Sequence, residues 1–199
     1  MRVPALTRAR LLPAMALGYA AFCLLYLGSH ALRLGAPLEL QRSGLDAALP
    51  LLPATIWIYL SQFVLLPLSL CLVRDTATRS RLFYACLLAT LAAAAVFLCW
   101  PTRLLRPEIA ADGLTGLAWR LLFASDVDGN CFPSLHVALA GLCGIALWRH
   151  GWRTLALLWP AAIALATLTT WQHVGADVIG GALLAVLAWW AESRLLRHD

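Results

Sequence analysis

The sequence predicts an all-α integral membrane protein, a six-transmembrane helix bundle with a short interfacial helix in the loop between the third and fourth spans. Three observations carry that prediction. Hydrophobic residues make up 62% of the 199 residues and charged residues 13%, about half of the roughly 25% charged share of a soluble domain. A soluble fold of this size cannot hide so much apolar surface, so a water-soluble globule, a disordered chain and a fibrous repeat are excluded. The apolar residues gather in six runs near the roughly 20 residues that a spanning helix needs. The one long connection, Pro101 to Pro133, has a helical spacing of its own. Residues 1–199 read as a single membrane domain.

The first run, Leu11 to Ala31, follows Arg2, Arg8 and Arg10. A signal peptide cut after Ala31 is the alternative, but the run is long for one and reads better as an uncleaved helix. Leu49 to Val73 and Leu82 to Trp100 form the second and third spans. In the connection, Leu114, Leu117, Ala118, Leu121 and Leu122 recur on one helical face. That pattern fits a helix lying in the membrane interface, and equally one packed on top of the bundle. Leu135 to Trp148 is short unless Pro133 starts it. Leu155 to Trp171 and Val174 to Leu195 are parted only by Gln172 and His173, so the chain reverses tightly there.

All fifteen basic residues are arginine. They lie between the apolar runs and form no patch, which makes them topology signals and not a nucleic-acid surface. With the N-terminus inside, the inside segments hold ten arginines and the outside segments five (Arg33, Arg42, Arg103, Arg106 and Arg120). This count predicts a multi-pass protein of the plasma (inner) membrane whose polar helix ends face the periplasm or exterior. The six cysteines contain no CxxC pair and mostly sit in apolar stretches, so neither a disulfide framework nor a zinc knuckle is expected.

Three polar groups sit at the outer helix ends, where ionisable residues point to function. Arg103-Leu-Leu-Arg106-Pro107 offers two planar cationic forks suited to phosphate, or ordinary interfacial anchors. Asn130-Cys-Phe-Pro-Ser-Leu-His136 opens the fourth span. Pro133 suits a first helical turn, Ser134 sits among free backbone N–H groups, and His136 faces any anion bound there. In His173-Val-Gly-Ala-Asp177 the carboxylate can hold one imidazole nitrogen and leave the other as base or nucleophile. Gly175, Gly180 and Gly181 permit close approach of a neighbouring helix. His30, His150 and His198 are less telling, the last two being expected in solvent. Asp126-Val-Asp128-Gly129-Asn130 reads as a turn and helix cap, because its glycine is misplaced for a calcium loop.

Taken in order, Arg106-Pro107, Pro133-Ser134-Leu135-His136 and His173 with Asp177 resemble the three signature motifs of the type 2 phosphatidic acid phosphatase (PAP2) superfamily. The Asn-Cys-Phe-Pro-Ser-Leu-His form is similar to the branch that contains inositol phosphorylceramide synthase-like proteins. The resemblance implies a metal-independent, cofactor-free, two-step phosphoryl transfer on a membrane lipid phosphate. His173 would attack phosphorus, Asp177 would orient it, and His136 would protonate the leaving alkoxide. Arg106 and Ser134 would hold the phosphoryl oxygens. The family's first-motif lysine falls at Cys99, for which Arg103 is the substitute, and an arginine usual six residues before the nucleophile is Thr167, with Gln172 as a replacement.

Hydrolysis and transfer share the first half-reaction. Water resolving the phosphohistidine makes a lipid phosphatase; a lipid or sugar hydroxyl makes a phosphotransferase. Other readings are an intramembrane serine protease using Ser134 with His173, a transporter or proton relay built on His136, His173 and Asp177, and zinc held by those groups.

Overall fold

The computed structural model describes residues 1–42 and 44–199. In chain order the elements are β1 (Arg2–Val3), α1 (Leu11–Ala31), β2 (Leu38–Leu40), α2 (Leu45–Ala48), α3 (Ile56–Leu60), α4 (Gln62–Leu72), α5 (Thr76–Cys99), β3 (Thr102–Leu104), α6 (Gly113–Ser125), α7 (Leu135–Arg149), α8 (Arg153–Thr169), α9 (Gly175–Leu195) and β4 (Arg197–His198). The chain is mostly helical. Four stretches, Arg8–Ala31, Pro53–Leu72, Thr76–Cys99 and Gly175–Leu195, are long and apolar enough to cross a membrane. This makes it a multi-pass membrane protein by helix length and composition.

The other two expected spans, α7 and α8, are apolar but shorter, at 15 and 17 residues. At a rise of about 1.5 Å per residue α7 reaches roughly 22 Å, less than the ~30 Å hydrocarbon core. Pro133 does not extend it. Ser134 is the N-cap, its Oγ accepting the Val137 N–H at 3.4 Å, and Leu135 is the first helical residue. Gly151, with φ +82, follows the far end, and backbone of that sign is a common helix stop.

Other boundaries moved for equally local reasons. The second run is interrupted. Pro53 opens a short 3-10 turn, and the helix breaks at Ser61 between α3 and α4. Helix α5 starts six residues ahead of its apolar run because Asp75 caps it, accepting the Thr78 N–H at 2.7 Å. Arg79 in that first turn is 1% exposed and donates to the carbonyls of Leu70, Val73, Arg74 and Leu6. It thereby satisfies the C-terminal end of α4 with a cation. His150 is tied to Asp75 at 2.6 Å and His198 to Glu192 at 2.6 Å, where solvated side chains were expected.

Helix α7 is the centre of the bundle, packed by α4, α5, α8 and α9. Its buried face is rich in small residues, and at Gly144 a Cβ would lie 2.7 Å from the Ala156 carbonyl oxygen of α8. Helix α1 is peripheral and rests on α5, with only Ser29 fully buried. Helix α6 packs on the bundle with part of its stripe. Ala118, Trp119 and Leu122 pack on Ile56, Tyr59 and Ala166, while Leu114, Leu117 and Leu121 remain exposed.

The all-α expectation omitted two short parallel pairings, β1 with β4 and β2 with β3. Each lets extended chain beside a helix end satisfy backbone groups that would otherwise lack partners.

Candidate active site

The turn from α8 to α9 builds the site. Thr170 caps α8, and Trp171 follows with φ +54, a left-handed conformation usually left to glycine. The backbone N–H groups of Gln172 and His173 both donate to the Thr167 carbonyl at 3.1 Å. That fold-back delivers His173 to the first turn of α9. There Asp177 Oδ2 accepts from the Val174 N–H at 3.0 Å and from His173 Nδ1 at 3.2 Å. The carboxylate is fully buried and His173 nearly so. With Nδ1 donating, Nε2 of His173 is left as the basic nitrogen.

The start of α7 meets this turn directly. The Ser134 N–H donates to the Asp177 carbonyl at 3.1 Å. A Cβ on Gly181 would overlap the Ser134 carbonyl oxygen and lie 3.0 Å from Val137 Cβ. Glycine is therefore required for α9 to cross the α7 N-terminus this closely. Of the other two glycines, Gly180 accommodates the Phe132 ring and the Gly175 N–H donates to Asp46 Oδ1 at 2.8 Å.

His136 lies one residue into α7. Its ring stacks on Tyr59, with centroids 4.0 Å apart, and stands 6.2 Å from the His173 ring. Its Nε2 is buried and has no partner among the described residues. Arg106 completes the arrangement. It donates to the carbonyls of Phe123 (2.9 Å) and Asp126 (2.7 Å) at the C-terminal end of α6, with its guanidinium 4.8 Å from the Phe123 ring centre. Those bonds use two of its five N–H groups and favour a cation at that helix end.

Arg106, His136 and His173 line one cavity of about 30 Å³, room for one or two waters as it stands. Gln172, Asn130 and Asp126 share its wall. Asp126, expected in a turn, accepts from the Tyr26 hydroxyl at 2.7 Å and the Val127 N–H at 2.9 Å, and burial pushes its carboxyl above the ordinary carboxylate range. Asn130 holds φ +59 and donates to the Tyr26 carbonyl at 2.8 Å. Neither residue carried a catalytic signal in sequence. The dense Asp-Asp-Gly-Asn run was the available clue.

Two expected contributors, Arg103 and Ser134, stand elsewhere, and Thr167, where the family's arginine is missing, serves the turn instead. Arg103, on β3, donates to Glu39 Oε2 at 2.9 Å and does not line the cavity. Ser134 is fully buried behind the wall, its hydroxyl occupied as a helix cap and not bonded to either histidine. The Thr167 hydroxyl donates to the Ala164 carbonyl, and its own carbonyl holds the His173 turn. Among the described residues no group of three His, Cys, Asp or Glu side chains is arranged to hold a metal ion.

A protein-family model described as the PAP2 superfamily matches residues 25–191. No curated protein and no solved structure matches the chain.

Proposed function

Because the chain belongs to the PAP2 superfamily, whose members are typically metal-independent phosphatases or phosphotransferases acting on phosphate monoesters, we propose that it cleaves a lipid phosphate at the membrane surface through a phosphohistidine on His173. The observation that carries this reading is the facing pair of histidines. One has Nδ1 committed to Asp177, and the other presents a buried, unpartnered Nε2 from across a cavity walled by Arg106.

In the first half-reaction His173 Nε2 forms a bond to phosphorus as the bond from phosphorus to the lipid oxygen breaks. Asp177 stabilises the imidazole in its donating tautomer. Protonated His136 gives its proton to the departing alkoxide and is left neutral. In the second, neutral His136 takes a proton from the acceptor hydroxyl, whose oxygen attacks phosphorus and frees His173. Arg106 and the backbone N–H groups opening α7 stabilise the charge on the phosphoryl oxygens. Ser134 acts by fixing that helix start.

Six membrane segments, with α7 and α8 spanning as short helices inside the bundle, accord with this placement. The arginine count favours a site on the exterior side of the plasma (inner) membrane. Leu135 in the Pro-Ser-Leu-His motif favours the inositol phosphorylceramide synthase-like branch, in which a lipid or sugar hydroxyl replaces water as acceptor.

The test is purified protein in lipid nanodiscs, offered phosphorus-labelled lipid phosphates with and without an alcohol acceptor. Acid-labile label should appear on His173, vanadate should inhibit, and chelator should leave turnover intact. Label on Ser134, or loss of activity in chelator with rescue by zinc, would refute the mechanism.

A further inference from the structure

Two apolar grooves reach His136 from its membrane side. One, of about 360 Å³, lies between α1, α4, α5 and α7, and the other, of about 350 Å³, between α1, α3–α4, α6 and α7. Tyr19, Phe22, Phe63 and Leu135 border both. The first groove contains an anomaly. Gln62, the first residue of α4, is 6% exposed, and neither its Nε2 nor its Oε1 has a partner among the described residues. Thr90, another polar residue of that groove, is satisfied by the Cys86 carbonyl at 2.8 Å. A buried amide with donor and acceptor both idle is costly and calls for an explanation.

Its position supplies one. Tyr59 stacks on His136, and Gln62 follows three residues later, just past the Ser61 break. The bonds of the Ser61 N–H to the Trp57 carbonyl and of the Leu65 N–H to the Ser61 carbonyl keep the two segments in line, which puts Gln62 ~5 Å further along. A phosphate held between His136 and His173 thus brings the first few bonds of its alcohol alongside the Gln62 amide. Any hydrocarbon beyond them enters the groove. A largely apolar groove in which the Gln62 amide alone has both donor and acceptor idle among the described residues fits a particular kind of tail.

Resting on the lipid-phosphate reading above, we propose that Gln62 is a specificity-determining residue. It hydrogen-bonds the polar linkage of the substrate, an ester carbonyl, amide or hydroxyl that lies about one helical turn from phosphorus. A linear prenyl phosphate presents only hydrocarbon at that depth and leaves the amide unpaired, which is the situation that rejects an analogue lacking the hydrogen-bonding group.

The experiment compares wild type with Gln62→Met, near in volume but without the amide, on three substrates: phosphatidic acid, a prenyl phosphate and p-nitrophenyl phosphate. Wild type should prefer phosphatidic acid to the prenyl phosphate. The variant should raise KM for phosphatidic acid about 5- to 10-fold, with kcat within about twofold. Turnover of the other two should stay unchanged. Equal loss on all three substrates, or an unaltered lipid preference, would overturn the assignment. Should Gln62→Met not assemble, Gln62→Asn, one methylene shorter, should give a smaller rise in KM confined to phosphatidic acid.

Tryptophan-fluorescence titration of His173→Ala, with and without Gln62→Met, separates this proposal from the activity itself. Tighter binding of phosphatidic acid than of prenyl phosphate only where Gln62 is present supports it even without turnover. Equal binding of the two lipids refutes it.

Discussion

Replacing Gly181 by alanine adds one methyl group where α9 crosses the start of α7. The new Cβ would overlap the Ser134 carbonyl oxygen and lie 3.0 Å from Val137 Cβ and 3.3 Å from the Ala138 nitrogen. Two of those three neighbours are backbone atoms of the helix start, so no rotamer change relieves the contact. The helices must separate by on the order of 1 Å to reach ordinary carbon contact distances. Overpacking of this kind costs about 1–3 kcal/mol, while alanine in a helix interior returns about 1 kcal/mol over glycine. Net stability should therefore fall by only about 0–2 kcal/mol. Catalysis should suffer more, because Asp177 rides on α9 and holds His173 in the turn just before it, while His136 rides on α7. A displacement of about 1 Å between reacting groups is worth on the order of 100-fold in rate. Phosphate release and thermal unfolding, measured on the same nanodisc sample, separate the two effects. Gly28→Ala, with nothing within 4 Å of its Cβ, is the control and should leave turnover unchanged. A Gly181→Ala protein within about threefold of wild-type kcat would refute the claim that this crossing sets the histidine geometry.

Asp177→Asn should cut kcat by about 10²–10⁴-fold with assembly intact, since the amide no longer favours the donating Nδ1 tautomer; near-normal turnover would count against His173 as nucleophile. Ser134→Ala should cost about 1 kcal/mol of stability through loss of the α7 cap, with a drop in rate of less than about tenfold, read by the same paired assay. At Asp75, burial pushes the carboxyl up, but hydrogen bonds from Thr78 and His150 outweigh it and hold the group below its ordinary 3.8. The stability it adds is present above pH 3.8 and is lost as pH falls through the lower folded value. The gap in unfolding midpoint between wild type and Asp75→Ala should therefore narrow below that pH, and a constant gap would discount the ion pair. In an active cysteine-free background, Asp112→Cys should react with an impermeant maleimide in intact cells and Thr76→Cys only after lysis; the reverse pattern puts the site on the cytoplasmic side.

The His173–Asp177 pair was legible in sequence because its spacing is local, and four residues on one turn fix the contact. Arg106 and His136 were legible through the order of their motifs. What sequence could not supply were contacts made by the folding together of distant segments. Tyr59 beneath His136, Tyr26 on Asp126 and the buried Gln62 amide each depend on how α1, α3, α4 and α7 pack. Arg103 was read as a phosphate ligand because it sits in the right segment, yet the pairing of β2 with β3 gives it Glu39 instead. The boundary set by the polar cap at Asp75 escaped a reading led by apolar runs, whereas α7 begins at Leu135 as its run does. Trp171 hid in plain view, since a left-handed turn at a bulky residue has no compositional signature.

Helix α1 is strung like a beam between two supports. Near its N-terminal end the Leu6 N–H donates to Ser80 Oγ and the Leu6 carbonyl accepts from Arg79; near its C-terminal end Tyr26 is bonded to Asp126 and Asn130, and the Leu34 N–H to the Leu98 carbonyl. Between those supports it lies along α5, where Gly18 leaves room for the Phe83 ring, so α1 is held along its length on that side. On the lipid-phosphate reading proposed above, a hydrocarbon chain would lodge in the groove already present between α1 and α4 without dislodging either support. On the same reading, the acceptor of the phosphoryl group would reach the cavity between His136 and His173 past Arg106 and Asn130, which line it.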